Sequence, residues 1–165
     1  MSKVICVMGE SGSGKTTSMR NLNPQSTCYI DCDKKGLSWK GWKKQYNTEN
    51  KNYLCTDNQS TALKMMQRIN TQPEFVHIKT VVVDTINGIM VADEMRRSKE
   101  KGYDKWLDLA CAIYDIVDYA LTIAPIGNVV NAAGVDYANM PKEPIIKINM
   151  LGTHYVLEAF LPYLD

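Results

Sequence analysis

No apolar run in this chain approaches the ~20 consecutive residues that a membrane-crossing helix requires, so nothing in it is expected to span a bilayer. Its start lacks the pattern of a secretory leader, a charged opening followed by a long apolar stretch and a small-residue cleavage site, and a cytoplasmic location is the expectation. An excess of charge is missing too. Nineteen Lys and Arg stand against eighteen Asp and Glu, a formal net charge of +1, so any attraction to nucleic acid or lipid has to come from a local patch. Histidine is scarce, and His77 and His154 have no second ligand at metal-binding spacing. The five cysteines, Cys6, Cys28, Cys32, Cys55 and Cys111, are odd in number and contain no C-x-x-C pair. Three of them lie in apolar segments, so buried reduced thiols are expected in place of disulfides or metal ligands.

What the chain does have is enough apolar material for one core, and one loop of strong chemical character. Of its 165 residues 45% are hydrophobic, which suits a single domain over 1–165. Directly after the apolar run Val4 to Met8 stands Gly9-Glu10-Ser11-Gly12-Ser13-Gly14-Lys15-Thr16, a complete phosphate-binding loop of the G-x-x-x-x-G-K-[ST] type between a strand expected to be buried and a helix. Its glycines let the backbone curl so that successive N–H groups point at an anion, and the helix that follows adds the positive end of its dipole. Lys15 would reach the β- and γ-phosphates of a nucleoside triphosphate, Thr16 would offer its hydroxyl to Mg2+, and Thr17 is placed for the α-phosphate.

The rest of the chain alternates strands and helices. Strands are expected at 4–8, 28–32, 80–84 and 127–132, the third reading as a central strand buried on both faces. The helix after the loop is expected to be short, because Asn23-Pro24 forbids continuation past Leu22. Residues 33–59 read as a loop with a helical turn. Ser60 is the expected cap of a helix whose Leu63, Met66 and Ile69 or Asn70 share a face. Two further helices are expected at 89–99 and 103–123, divided at Gly102, the second with an apolar stripe of Leu109, Ile113, Ile116, Ala120 and Ile123. This pattern means an α/β fold with a mainly parallel sheet, its ligand at the carboxyl ends of the strands.

Asp84, closing the run Thr80-Val81-Val82-Val83, has the form of a metal-binding Walker B aspartate. Thr85 follows it where many ATPases carry a water-activating Glu, so that carboxylate must come from elsewhere. Strand alternation puts Asp31 and Asp33 on one face near the end of the second strand, and either can orient a water. A strand-end aspartate that binds a turn explains the same residues equally well.

On these residues Met1 to about Ala124 resembles the phage-encoded, RecA-like ATP-binding proteins that act as single-strand annealing or recombination ATPases. In that class a strand of the form Y-I-D-x-[DE] carries the catalytic acid, and Tyr29-Ile30-Asp31-Cys32-Asp33 matches it with Asp33 at the catalytic place. Asp in place of Glu shortens the reach. The segments from Lys34 to Trp42 and from Glu94 to Trp106 also look typical of these proteins. The resemblance implies a RecA-like P-loop NTPase, a three-layer sandwich whose strands lie in the order first, fourth, third, second, with ATP and Mg2+ as cofactors; it leaves a homo-oligomer open. Two rivals stay open beside the slow ATPase: a small P-loop kinase, although no arginine-bearing lid is evident beyond Arg96-Arg97, and a nucleotide-binding module without turnover.

Between Lys34 and Tyr53 the chain interleaves Lys34, Lys35, Lys40, Lys43 and Lys44 with Trp39 and Trp42, the ingredients of non-specific single-stranded DNA binding. The resemblance implies the same partner. Equally, Trp39 and Trp42 at i and i+3 can pack a helical turn onto the core.

Beyond Pro125 the character changes. Residues 127–134 (GNVVNAAG) read as strand and turn, and Ile145, Ile148, Leu151, Tyr155, Ala159 and Pro162 bound one face of a helix from about 143 to 163. These pieces resemble the N-A-A-G strand and N-x-x-G-T helix of extended short-chain dehydrogenases and nucleotide-sugar epimerases. That family's G-x-x-G-x-x-G loop is absent and no tyrosine has a lysine four positions later, so oxidoreductase chemistry is not expected. Segment 126–165 then reads either as a graft that completes the sheet or as a divergent end of the phage protein, with Asn131 at the strand end where such ATPases sense the γ-phosphate.

Overall fold

The computed structural model of the chain describes residues 3–9 and 12–122, and the backbone of 128–133. Five parallel strands form one sheet: β1 (Lys3–Met8), β2 (Thr27–Asp31), β3 (Tyr53–Cys55), β4 (Thr80–Asp84) and β5 (Asn128–Ala133), in the spatial order β1-β5-β4-β2-β3. Helices α1 (Lys15–Ser18), α2 (Trp42–Gln45), α3 (Gln59–Thr71), α4 (Ile86–Arg96) and α5 (Asp104–Thr122) occupy the connections, and the fold is α/β. The four expected strands lie in the expected order. β3 is an addition at the edge: three residues inside a polar stretch have too little pattern to announce a strand.

Val81, Val82 and Val83 of β4 are fully buried, as is every residue of β2, because both strands lie inside the sheet with both faces covered. Alternation sends Cys28, Ile30, Val81 and Val83 to one face, where Ala62, Met66 and Ile69 of α3, Ile86 and Ile89 of α4, and Ile113, Ile116, Val117 and Ala120 of α5 close over them. On the other face Tyr29 and Val82 meet Met19, Leu37 and Tyr46, with Trp39 and Trp42 half-buried beside them. This second layer is built from two one-turn helices and irregular chain, thinner than the sandwich the resemblance implies.

Several boundaries differ from expectation. β1 is not a buried strand: it lies at the sheet edge and is substantially open, with Met8 73% exposed. Helix α3 is capped by Asn58, whose Oδ1 accepts from Thr61 N–H at 3.0 Å, and Ser60 instead donates its hydroxyl to that same oxygen. The carboxamide reaches the first free N–H groups two residues earlier than expected. Helix α4 starts at Ile86, not Ile89, and Gly88 in its first turn runs against the chain just after β2, where an added Cβ would collide with the Cys32 carbonyl oxygen. Gly102, at φ +116°, breaks the chain before α5 as expected, and Leu109, Ile113, Ile116 and Ala120 of its stripe are buried. Ile123 and the expected 143–163 helix lie outside the described residues. Of the thiols, Cys28 and Cys32 are buried, whereas Cys6, Cys55 and Cys111 are exposed, against the expectation of general burial; all five are free.

Candidate functional site

Parallel strands in this order bring the carboxyl ends of β1, β2 and β4 to one rim of the sheet, and the glycine loop leaves β1 there. Gly12 and Gly14 adopt φ of +77° and +88°, a left-handed backbone that favours glycine, and a Cβ on Gly9 would crowd Ser13 Oγ at 2.7 Å. Glu10 and Ser11 lie outside the described residues. The turn delivers the chain into α1, so Lys15, Thr16 and Thr17 are its first residues, the positions whose N–H groups lie too early in a helix to find a carbonyl within it. The helix is short, as expected, and ends at Ser18, before the limit at Leu22; as a single turn it aligns few peptide dipoles. Lys15 Nζ donates to the Gly9 carbonyl at 2.8 Å, bridging the ends of the loop.

A side-chain hydrogen bond joins the loop to β4. Thr16 Oγ1 donates to Asp84 Oδ2 at 2.7 Å, joining residues 68 positions apart in the chain. The hydroxyl of Tyr29, a fully buried residue of β2, donates to the same oxygen at 2.7 Å. Register explains the second bond: Tyr29 pairs with Val82 and Asp31 with Asp84, so all four side chains share a sheet face and the phenol reaches forward to the next carboxylate. Burial raises the Asp84 carboxyl above its usual range; the two hydroxyl donors oppose this, and the charges of Asp33 and Asp31 add to the rise. Burial, followed by the Asp84 charge, lifts the Tyr29 phenol far above its ordinary value, which keeps it a proton donor.

Asp31 and Asp33 do not act as a pair. Asp31 Oδ2 accepts from Tyr53 OH at 2.7 Å and from Gly36 N–H at 2.8 Å, which fits the turn-binding alternative. β2 ends at Asp31 and alternation ends with it. Asp33 accepts from Thr85 Oγ1 at 2.9 Å and from Lys35 Nζ at 3.0 Å, next to the start of α4. The Thr85 hydroxyl thus ties Asp33 to the residue directly after Asp84, and the Asp84–Thr85 peptide is cis.

The basic segment divides. All five lysines are solvent-exposed, and two of them are paired, Lys34 with Asp57 at 2.7 Å and Lys35 with Asp33 at 3.0 Å. Both tryptophans pack inward: Trp39 stands edge-on to Tyr29 and Tyr46 with ring centroids at 6.4 and 6.1 Å, and Trp42 lies 5.0 Å from Tyr53. Both rings pack against the core, but not on one helical turn as the i, i+3 alternative has it, because Trp39 precedes α2. Ser38, in the same segment, shares a 2.7 Å hydrogen bond with Thr17, so the glycine loop and the basic segment touch. Arg96 is paired with Asp57, and Arg97 with Asp93, Glu100 and Asp108, all at the surface. Asn131 pairs in register with Cys6 and Val83, two residues before the end of β5 and not at it.

The oxygens of Thr16 and Asp84 suit a hard, small cation that keeps several waters and shares the remaining positions with phosphate oxygens. Among the described residues no group of three or more His, Cys, Asp or Glu is placed to hold an ion. Sequence reasoning missed Tyr29 and Tyr53 as partners of the strand-end carboxylates; the available signal is the alternation of Tyr29 with Asp31 beside a neighbouring strand that ends in Asp84. Comparison with protein-family models and with curated proteins gives no match. Among the described residues no helix is long and apolar enough to cross a membrane.

Proposed function

We propose that this chain is a magnesium-dependent ATP-binding protein of the RecA-like P-loop class, a slow ATPase that acts with single-stranded DNA in phage recombination or annealing in the host cytoplasm. The 2.7 Å contact between Thr16 and Asp84 carries this reading, because it unites the glycine loop with a strand-end carboxylate from a distant part of the chain. The positive-φ glycines and the N–H groups at the start of α1 hold the phosphates, and Lys15 moves from the Gly9 carbonyl to the β- and γ-oxygens. Bound Mg2+ would neutralise charge on those oxygens, with Thr16 and Asp84 holding it. Asp33 is the acid available to orient water, with Thr85 fixing one of its oxygens and Lys35 screening the other.

Asp33→Asn is expected to bind ATP within about twofold of the parent while turnover falls by roughly a hundredfold or more, as for loss of a general base. Calorimetry paired with phosphate release checks this, and equal loss of both would give Asp33 a folding role. For DNA the inward packing of the tryptophans moves the expected interface to the exposed lysines. Replacing Lys40, Lys43 and Lys44 together by Ala is expected to leave the melting curve nearly unchanged and to weaken single-stranded DNA binding. Its salt dependence should flatten by about 0.7 in log–log slope for each phosphate that a lysine no longer neutralises. Unchanged affinity and slope would remove this segment as the interface.

A further inference from the structure

The geometry assigns Tyr29 the role of positioning residue for the metal-side carboxylate: together with Thr16 it pins Oδ2 of Asp84 and leaves Oδ1 as the oxygen available to a cation. This rests on the site being a magnesium–nucleotide site. The hydroxyls of Thr16 and Tyr29 converge on Oδ2 at 2.7 Å, Oδ1 receives no hydrogen bond from the described residues, and Oδ1 is not a buried orphan. A carboxylate held through one oxygen by two donors, one on the phosphate loop and one on β2, has little freedom to rotate, so its second oxygen keeps a fixed direction.

Tyr29 is itself held. Its ring is fully buried, with Tyr46 edge-on at 5.6 Å and Trp39 at 6.4 Å, both from the segment that follows β2. Its hydroxyl also lies 3.7 Å from the Met19 sulfur, a weak acceptor that would not by itself require a carboxylate. The same diagonal recurs one strand further out, where Tyr53 pairs with Tyr29 and its hydroxyl reaches Asp31. Only the inner copy touches a carboxylate that also binds the glycine loop, and this separates a positioning role at Asp84 from a fold-wide way of satisfying buried phenols.

The test is ATP titration of the full chain by calorimetry, in magnesium and in chelator, with Tyr29→Phe and Tyr53→Phe. Tyr29→Phe should keep the metal-free ATP affinity within about twofold and lose about tenfold of the tightening that magnesium brings, the scale of one hydrogen bond to a charged group. Tyr53→Phe should retain that tightening. Equal weakening with and without magnesium, or full tightening in Tyr29→Phe, would overturn the role. If Tyr29→Phe does not fold, the buried Tyr29 hydroxyl proton in the parent, followed by NMR, should shift when magnesium is added to the ATP-saturated protein, and a static signal would overturn it. A parent chain that shows no magnesium-dependent tightening would instead sink the nucleotide-site reading, and the role of Tyr29 with it.

Discussion

Lys15→Ala is expected to remain folded and to lose all stabilisation by ATP and magnesium. In the parent, ligand at a hundred times Kd should contribute ~2.7 kcal/mol, or roughly 5 to 10 °C in melting temperature for a domain of this size. The ammonium bridges to the Gly9 carbonyl at the mouth of the loop, away from either core cluster, so its removal should shift the ligand-free melting point by little. What disappears is the cation that meets the β- and γ-phosphates. Thermal melts of both proteins with and without magnesium–ATP decide the matter, and a variant that shifts as far as its parent would show that the glycine loop is not the site.

Truncation after Ala124 should give an insoluble or molten product. It removes β5, which pairs over Asn128 to Ala133 with β1 on one side and over Asn128 to Ala132 with β4 on the other. Without it the strand that carries the glycine loop has no neighbour, and β4, whose three valines are fully buried, gains an open edge. The Thr16–Asp84 contact spans the gap that β5 fills, so the site should fail with the sheet. Solubility, near-UV circular dichroism and cooperative melting check the outcome. A truncated chain that folds cooperatively and still binds ATP would make everything after Pro125 a detachable appendage.

Features written in contiguous residues are legible in the sequence. The places of the four longer strands follow from apolar runs with turn signals between them, whereas their spatial order comes from the resemblance; the glycine loop follows from eight consecutive positions, and Asp84 from the end of its own valine run. What escapes depends on residues far apart in the chain. Tyr29 and Asp84 are separated by 55 positions, and their bond exists only because β2 and β4 pair in one register. β3 is too short to carry a period, and its strand character comes from pairing with β2. The aromatic rings of Trp39 and Trp42 read equally as stacking platforms or as core, because i, i+3 spacing is silent about which surface a helical turn faces; the cluster around Tyr29 settles their packing. The expectation that Asp33 shares a face with Asp31 extends strand alternation past the last strand residue, where the backbone has already turned toward α4.

The central claim is that the loop from Gly9 to Thr16 and the carboxylate of Asp84 form one magnesium–ATP site. Isothermal titration of ATP into the full chain, run once in magnesium and once in chelator, with Asp84→Asn beside the parent, tests it most directly. The account predicts saturable one-to-one binding that magnesium tightens in the parent, and binding in Asp84→Asn that magnesium no longer tightens. Absence of saturable binding in the parent, or the same magnesium dependence in both proteins, would contradict it.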